Sequence, residues 1–548
     1  MMYPIYETAA SPKLPIKAFF GINRKKKGRS GECVECRNVD GDEFPVLRSV
    51  RTPKKIHTAE NIIKLIAPPD GDFRLSGIVG GEVVGFGEFK NAEDTVIYDT
   101  RTATDILKSG NALVTVPNFS VYNIDTKEIT AKPTDDYAVY KKNGLDDVVN
   151  KNNKGYLWRY PLSEDKLPKR VKYIMIRSGR DYYYYKENDS GYLVIEDDAS
   201  YENQMIYYKK TDTGYEQAEN TELDAMDGLY ANEAVLITEE EDISCACVWQ
   251  NRVWGGSSDG RRIRCSKPGE LNNFTDFDSG AASSWSCEVG SDGKFTGIIP
   301  FSNAIFAFKE SHVHVVYGTA PSNFSQDKTF EGCGLIDKNS LVVAENSLFW
   351  LGHNGIYRYS GGKPKIISES LNKKYKSCVS FTDHKKVYFN LVDGDGEAEF
   401  LSFDIKNELW HRYDDANFIG GVLYGGKVYA YTENTVFELE NGDFSEWSFD
   451  GVLEYNDDFS DCSVVEFYIR AELKNGSSVK LEFRGISESD WETLGGYTAD
   501  KDEMIKEKFV ARLKNDKAFL WRISGCGEAY IYEIEKTVPR SGKSFKRD

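Results

Sequence analysis

No stretch of this sequence approaches the roughly 18–20 uninterrupted apolar residues that a membrane helix requires, so stable membrane insertion is not expected. Met1 to Phe20 has no basic region followed by an apolar run, and no secretory signal is expected there. Apolar residues rarely recur at i, i+3, i+4 and i+7, so the helix signal is weak almost everywhere. There is no Walker A loop and no Rossmann fingerprint. Ser347 and Ser368 stand in no Gly-x-Ser-x-Gly elbow. Cysteine is scattered: Cys33 and Cys36 form one CxxC, and Cys245 and Cys247 one CxC. A zinc site wants two such pairs, or one pair with suitably spaced histidines, and neither is found. A redox CxxC would want a thioredoxin-like βαβ setting, which is missing. Buried free thiols are expected instead.

Aromatic residues are abundant, with 33 Tyr, 30 Phe and 9 Trp in 548 residues. Flat rings pack well on a pleated, half-buried surface, so they favour strands. The 47 glycines suit many tight turns. Hydrophobic content of 40% and a mean hydropathy of −0.51 are ordinary for a folded soluble protein. The net charge is −18, whereas a general nucleic-acid binder would be basic. Basic residues gather near the ends, at Arg24, Lys25, Lys26, Lys27 and Arg29 and again at Arg540, Lys543, Lys546 and Arg547. They suit docking to neighbours, or they are ordinary solvated termini.

A hydrophobic run, a turn and a strand with a closing aromatic recur about seven times. Phe73–Val84 leads to Val96–Tyr98, and Ala112–Val116 to Val121–Tyr122. Cys247–Trp254 leads to Arg262–Arg264, and Phe295–Phe301 to Ala304–Phe308 and His314–Tyr317. Leu341–Val343, Ser377–Phe381 and Gly420–Tyr424 open the last three copies. Copies lie roughly 40 residues apart where nothing intervenes, the spacing of propeller blades. Such sheets have apolar faces and open edges, and packing several around an axis buries the faces.

The reading is all-β: a β-propeller of six or seven blades with an inserted β-rich domain and a C-terminal β-sandwich. Residues 1–58 are read as a segment that joins the propeller and docks on neighbours, 59–134 as the first blades and 241–450 as the remaining ones. Residues 135–240 lack the repeat and form the insert; 451–538 alternate at sandwich spacing, and 539–548 are a basic tail.

Candidate chemistry is sparse. His312 and His314 share one face of a strand and could chelate a metal, but no third ligand can be placed, and structural histidines are the simpler reading. Asp393-Gly-Asp-Gly-Glu397 resembles the start of a calcium loop, but strands flank it and a hairpin turn explains it. Tyr182 to Tyr185 could stack on sugars or bases; alternation puts only two on each face, as in an ordinary aromatic strand. No catalytic, cofactor-binding or metal-binding residue is assigned, no cofactor is expected, and the chain is not expected to be an enzyme.

Several segments carry a resemblance. Asn346 to Tyr359, continuing through Gly361-Gly-Lys-Pro-Lys-Ile-Ile-Ser368, resembles a blade of phage propeller proteins. Asn251-Arg-Val-Trp-Gly through Cys265-Ser-Lys-Pro-Gly to Asn273-Phe-Thr is similar to another blade. Gly21-Ile-Asn through Asn38-Val-Asp to Pro45-Val-Leu-Arg resembles the family's N-terminal segment, and Phe519 to Glu528 its sandwich. The family is that of the propeller-bearing tail nozzle and packaged-DNA stabilisation proteins of tailed bacteriophages. The resemblance implies a virion tail protein made in the host cytoplasm. It implies a ring of identical subunits, commonly six, that extends the portal and tail channel, retains DNA and lets it pass at infection. Partners would be portal, adaptor and other tail proteins, fibres through 135–240, and duplex DNA without sequence-specific contacts. A negative channel wall would let phosphates slide without sticking. The alternatives are a carbohydrate- or receptor-binding propeller adhesin and, behind it, a propeller glycosidase.

Overall fold

The computed structural model describes residues 13–25, 30–58, 243–274, 280–453, 464–512 and 519–537, together with strands between 62 and 237. Side chains are described at most of 62–66 and 105–123 but not elsewhere between 67 and 242. Among the described residues there is no α-helix.

Outside 135–240, seven four-stranded antiparallel sheets follow one another along the described residues. The first is Ile62–Ile66, Leu75–Val79, Glu82–Phe86 and Thr95–Asp99, and the second runs from Asp105–Ser109 to Ile129–Thr130. The third runs from Ile243–Trp249 to Trp285–Glu288, the fourth from Phe295–Phe301 to Ser325–Glu331, and the fifth from Val342–Ala344 to Lys365–Ile366. The sixth is Tyr375–Thr382, Lys386–Asp393, Ala398–Asp404 and Leu409–Arg412. The seventh takes three strands from Gly420–Tyr424, Lys427–Tyr431 and Thr435–Glu438, and its fourth from Lys54–Thr58 near the N-terminus. Four-stranded meanders of this kind are the blades of a β-propeller fold, and the remote fourth strand covers an edge that would otherwise stay open. Within 135–240 lie further small sheets, one of them built on Val171–Ser178 and Asp181–Glu187.

The chain divides into two compact units, one of residues 1–101, 308–313 and 329–548, the other of 102–307 and 314–328. In each, a glycine lets a neighbouring sheet approach. A Cβ on Gly421 would stand 2.4 Å from the Phe381 ring, and one on Gly256 would stand 2.5 Å from the Phe295 ring. Gly421→Val therefore overpacks the contact between the sixth and seventh sheets. It is expected to cost about 1–3 kcal/mol in thermal or urea unfolding, with Phe381→Leu restoring part of the loss.

The sandwich belongs to the first unit. One sheet orders Glu35–Arg37, Glu446–Leu453, Phe519–Cys526, Ser478–Gly485 and Glu492–Thr498. The other orders Val39–Asp40, Leu47–Ser49, Ala529–Thr537, Val464–Leu473 and Glu503–Arg512, and Lys13–Ile16 also pairs with Ala529–Thr537. Strict alternation sends Val465, Phe467, Ile469 and Ala471 inward. They meet Trp521 and Phe483, with the Phe467 ring 6.3 Å from Trp521 and 6.1 Å from Phe483. The same buried cluster runs on through Leu391, Phe403 and Trp410 of the sixth sheet, so sandwich and blade share one core.

The sandwich is thus larger than the 451–538 expected from alternation. Four strands within 13–49 complete it, and the strand 446–453 begins before the expected boundary. The segment 1–58, read as a joint and docking arm, is divided between the sandwich and the seventh sheet. These strands are two to five residues long, and their partners lie hundreds of positions away, so local periodicity carries no sign of them.

Candidate functional site

The hairpin from Val39–Asp40 to Leu47–Ser49 brings Asp40, Asp42 and Arg48 together. Against it stands Lys386, the first residue of a strand in the sixth sheet and only 3% exposed. Its Nζ lies 2.7 Å from Asp40, 2.7 Å from Asp42 and 3.3 Å from Glu440. Arg48 Nη2 adds contacts of 2.9 Å to Asp40 and 2.9 Å to Asp42. Burial alone would raise the Asp40 carboxyl, but Lys386 and Arg48 hold it well below the usual carboxylate range. Asp42 shifts upward, through burial and the neighbouring Asp40 charge. Burial opposes the Lys386 charge, yet Asp40 chief among its neighbours keeps the ammonium protonated. Asp40, Asp42 and Glu440 are the carboxylate trio, among the described residues, whose oxygens converge within 4.8 Å. The ammonium and guanidinium already fill the cation's place, so the trio does not fit a metal.

A second cluster holds the chain ahead of this hairpin. Arg24 Nη1 meets Glu399 at 3.0 Å and Nη2 meets Glu35 at 2.8 Å. Lys373 bridges Glu399 at 2.9 Å and Asp393 at 2.8 Å, and the Tyr375 hydroxyl donates to Glu399 at 3.1 Å. Arg24, read in the sequence as part of a basic docking end, is thus turned inward, while Lys25 pairs with Glu369 at 2.9 Å on the surface. Residues 26–29 and the basic tail from 539 lie outside the described residues.

The sequence candidates do not converge. Asp393 Oδ1 accepts the backbone N–H groups of Asp395 and Glu397, both at 2.9 Å, and Lys373 faces its other oxygen. That is a hairpin turn, with a lysine where calcium would stand. The His314 ring bonds Ser291 at 2.6 Å and Gln326 at 3.0 Å; His312 bonds Ser311 at 2.8 Å. Ser347 bonds Ser360, and the Ser368 hydroxyl accepts the Ile356 N–H, so both serve their own sheet. Cys33, Cys36 and Cys247 are buried free thiols, and burial pushes Cys33 and Cys247 upward. Cys245 is half-buried. The Tyr182–Tyr185 run lies on the strand Asp181–Glu187, with side chains outside the described residues.

The outer face of the first sandwich sheet carries a cleft of about 410 Å³, which the sequence reading missed. Register places Arg37, Ser448, Ser524, Lys480 and Gly496 side by side across five strands. The next row holds Glu446, Cys526, Ser478 and Thr498. On the other side stand Glu35, Asp450, Arg522 and Glu482. Small side chains on the central strands leave a trough between longer rims. Arg522 forks onto Asp450 at 2.7 and 2.6 Å, and Ser524 donates to Glu482 at 3.0 Å. Arg522 and Arg484 both stack on Trp491, 4.2 and 4.7 Å from its ring. Outward-facing serines in a strand are the usual sign of a solvated face, so only the register reveals the trough.

No family model matches the chain, and no curated protein matches it. Among solved structures, Hsv2 of Kluyveromyces lactis overlaps with a TM-score of 0.28 at 9% identity, covering 65% of this chain and 97% of its own. An exo-beta-1,3-galactanase from Phanerochaete chrysosporium gives 0.22 at 8%, covering 69% and 98%. PorZ, a surface component of the type-IX secretion system of Porphyromonas gingivalis, gives 0.26 at 10%, covering 93% and 85%. Overlaps this loose carry no function across; the fold stands on the sheets described above.

Proposed function

We propose that the chain is a structural virion protein of a tailed phage. Identical copies, six by the resemblance, assemble into a ring that extends the portal and tail channel, retains packaged DNA and lets it pass. One observation supports this reading. The N-terminal segment is built into the sandwich and the seventh sheet, pinned by two ionic clusters, and the sandwich shares its core with the sixth sheet. A segment tied in this way keeps sandwich and blade together, which suits a fixed part of a channel wall. The net charge of −18 suits a wall that does not hold phosphates.

Light scattering coupled to size exclusion, followed by negative-stain imaging, tests the reading. The expected result is a ring with a central opening of about 20 Å or more, wide enough for a DNA duplex to pass. A chain that stays single even when offered a portal-type ring, and that turns over a glycan, would overturn it.

A further inference from the structure

The sandwich cleft has a chemical character of its own, independent of any ring. Apart from the exposed Glu446, its charged groups are spoken for. Arg522 is forked onto Asp450, Lys480 pairs with Glu482 at 3.2 Å, and Arg37 pairs with Asp414. A phosphate or other anion would find no spare cation, and a metal ion would find no spare carboxylate pair. Hydroxyls are what remain. Ser448, Ser478 and Thr498 take no side-chain hydrogen-bond partner among the described residues, and all three line the trough. A hydroxyl donates once and accepts twice, so the three present a grid of unused donors and acceptors.

The floor adds fixed polar groups. Ser524 is 6% exposed and Glu482 8%, and their hydrogen bond orients the carboxylate within the cleft. The Glu482 carboxylate is acceptor-only when ionised, and Lys480 beside it offers donors alone. Gly496 contributes no side chain, so the trough stays open along the row of Lys480. Tyr497, paired with the buried Val479, turns its ring to the core side of the sheet, its hydroxyl held by Glu503 at 2.7 Å, so the cleft keeps a polar lining along this strand. The volume of about 410 Å³ falls in the range of about 300–1,000 Å³ that small-molecule sites occupy.

We propose that this cleft binds a neutral oligosaccharide. The ligand would be a short run of uncharged sugar rings whose hydroxyls exchange hydrogen bonds with Ser448, Ser478 and Thr498 and with the Glu482–Lys480 pair. A neutral sugar presents hydroxyls around its ring edge, and the trough offers rows of hydroxyls to meet them. Glu482 and Lys480 together bracket adjacent sugar hydroxyls, one as acceptor and one as donor. An apolar ligand covering these hydroxyls would strip them of water and return no hydrogen bond, so the trough selects a hydroxyl-bearing ligand over an apolar one.

Saturation-transfer NMR on the full chain tests this. The probes are neutral di- and trisaccharides of glucose, galactose, N-acetylglucosamine and rhamnose at millimolar concentration. Transfer to at least one series is expected. Ser478→Trp and Ser448→Trp each fill the trough from a different strand, and each should weaken binding about tenfold or more while keeping the wild-type melting temperature. A variant that fails to fold leaves the other to decide. Should neither fold, Ser478→Ala and Thr498→Ala must weaken binding instead. The proposal is overturned if no saccharide shows transfer, if transfer survives the filled trough, or if inorganic phosphate or an acidic peptide binds there in its place. Ring formation is read separately by scattering, so failure of one leaves the other standing.

Discussion

Lys386→Met is expected to destabilise the first unit by about 3–5 kcal/mol, the usual cost of removing one partner from a buried ion pair. The residue's Nζ touches three carboxylates, and Asp40 among them is 1% exposed. Without the ammonium, Arg48 alone faces Asp40, Asp42 and Glu440. Methionine fills much the same volume, so the loss would be electrostatic and not a cavity. The pairing of Asp40→Asn with Lys386→Met separates the two terms. If the cluster behaves as a buried pair, the double variant is more stable than Lys386→Met alone, because no orphaned charge remains. Chemical denaturation followed by tryptophan fluorescence reads both, since Trp410, Trp447 and Trp521 lie in the adjoining core. Equal stability of wild type and Lys386→Met would show that the cluster is a bystander to folding.

The same residues show where sequence reading reaches and where it stops. The strands of the fifth and sixth sheets are legible because each alternates or runs apolar between glycine and aspartate turns. Ser347–Leu351 and Lys386–Leu391 lie in strands as expected. The seventh sheet's outer strand, Lys54–Thr58, is not legible. Its residues are mostly charged or half-exposed, and only its partner, Thr435–Glu438, makes it a strand. Nothing in the sequence marks Lys386, since a lysine after a turn is the commonest of surface residues. Its burial arises because a hairpin some 346 positions earlier folds over it. The Arg24–Glu399 contact spans 375 positions and is hidden for the same reason. The sandwich cleft lies between these extremes. Its strands alternate visibly, but a row of serines becomes a trough only when register sets them side by side.

Stability is expected to fall by about 3 kcal/mol as pH drops from 6.5 to 4, through His411 alone. The ring is 1% exposed, and its Nε2 has no hydrogen-bond partner among the described residues. Burial pushes it down to about 4 from the ordinary 6.5; Lys386 lowers it further while Asp40 raises it, and burial prevails. The sign follows from proton counting. Between pH 4 and 6.5 the unfolded chain binds a proton at His411 that the folded chain refuses, so stability present above pH 6.5 is lost on acidification. The gap between the two values is worth about 3 kcal/mol at 1.36 kcal/mol per pH unit. Asp40 acts later and in the same direction. Its carboxyl is held low in the fold, so its contribution is present at neutral pH and lost only below the ordinary value of 3.8. The two windows are therefore separable. A series of denaturation curves from pH 7 to 4 on wild type and His411→Gln isolates the first. Wild type should lose stability relative to the variant steadily as pH falls, whatever the variant costs at pH 7. Parallel curves would mean that the imidazole takes up its proton inside the fold, with the Asp40 carboxylate near enough to compensate the charge.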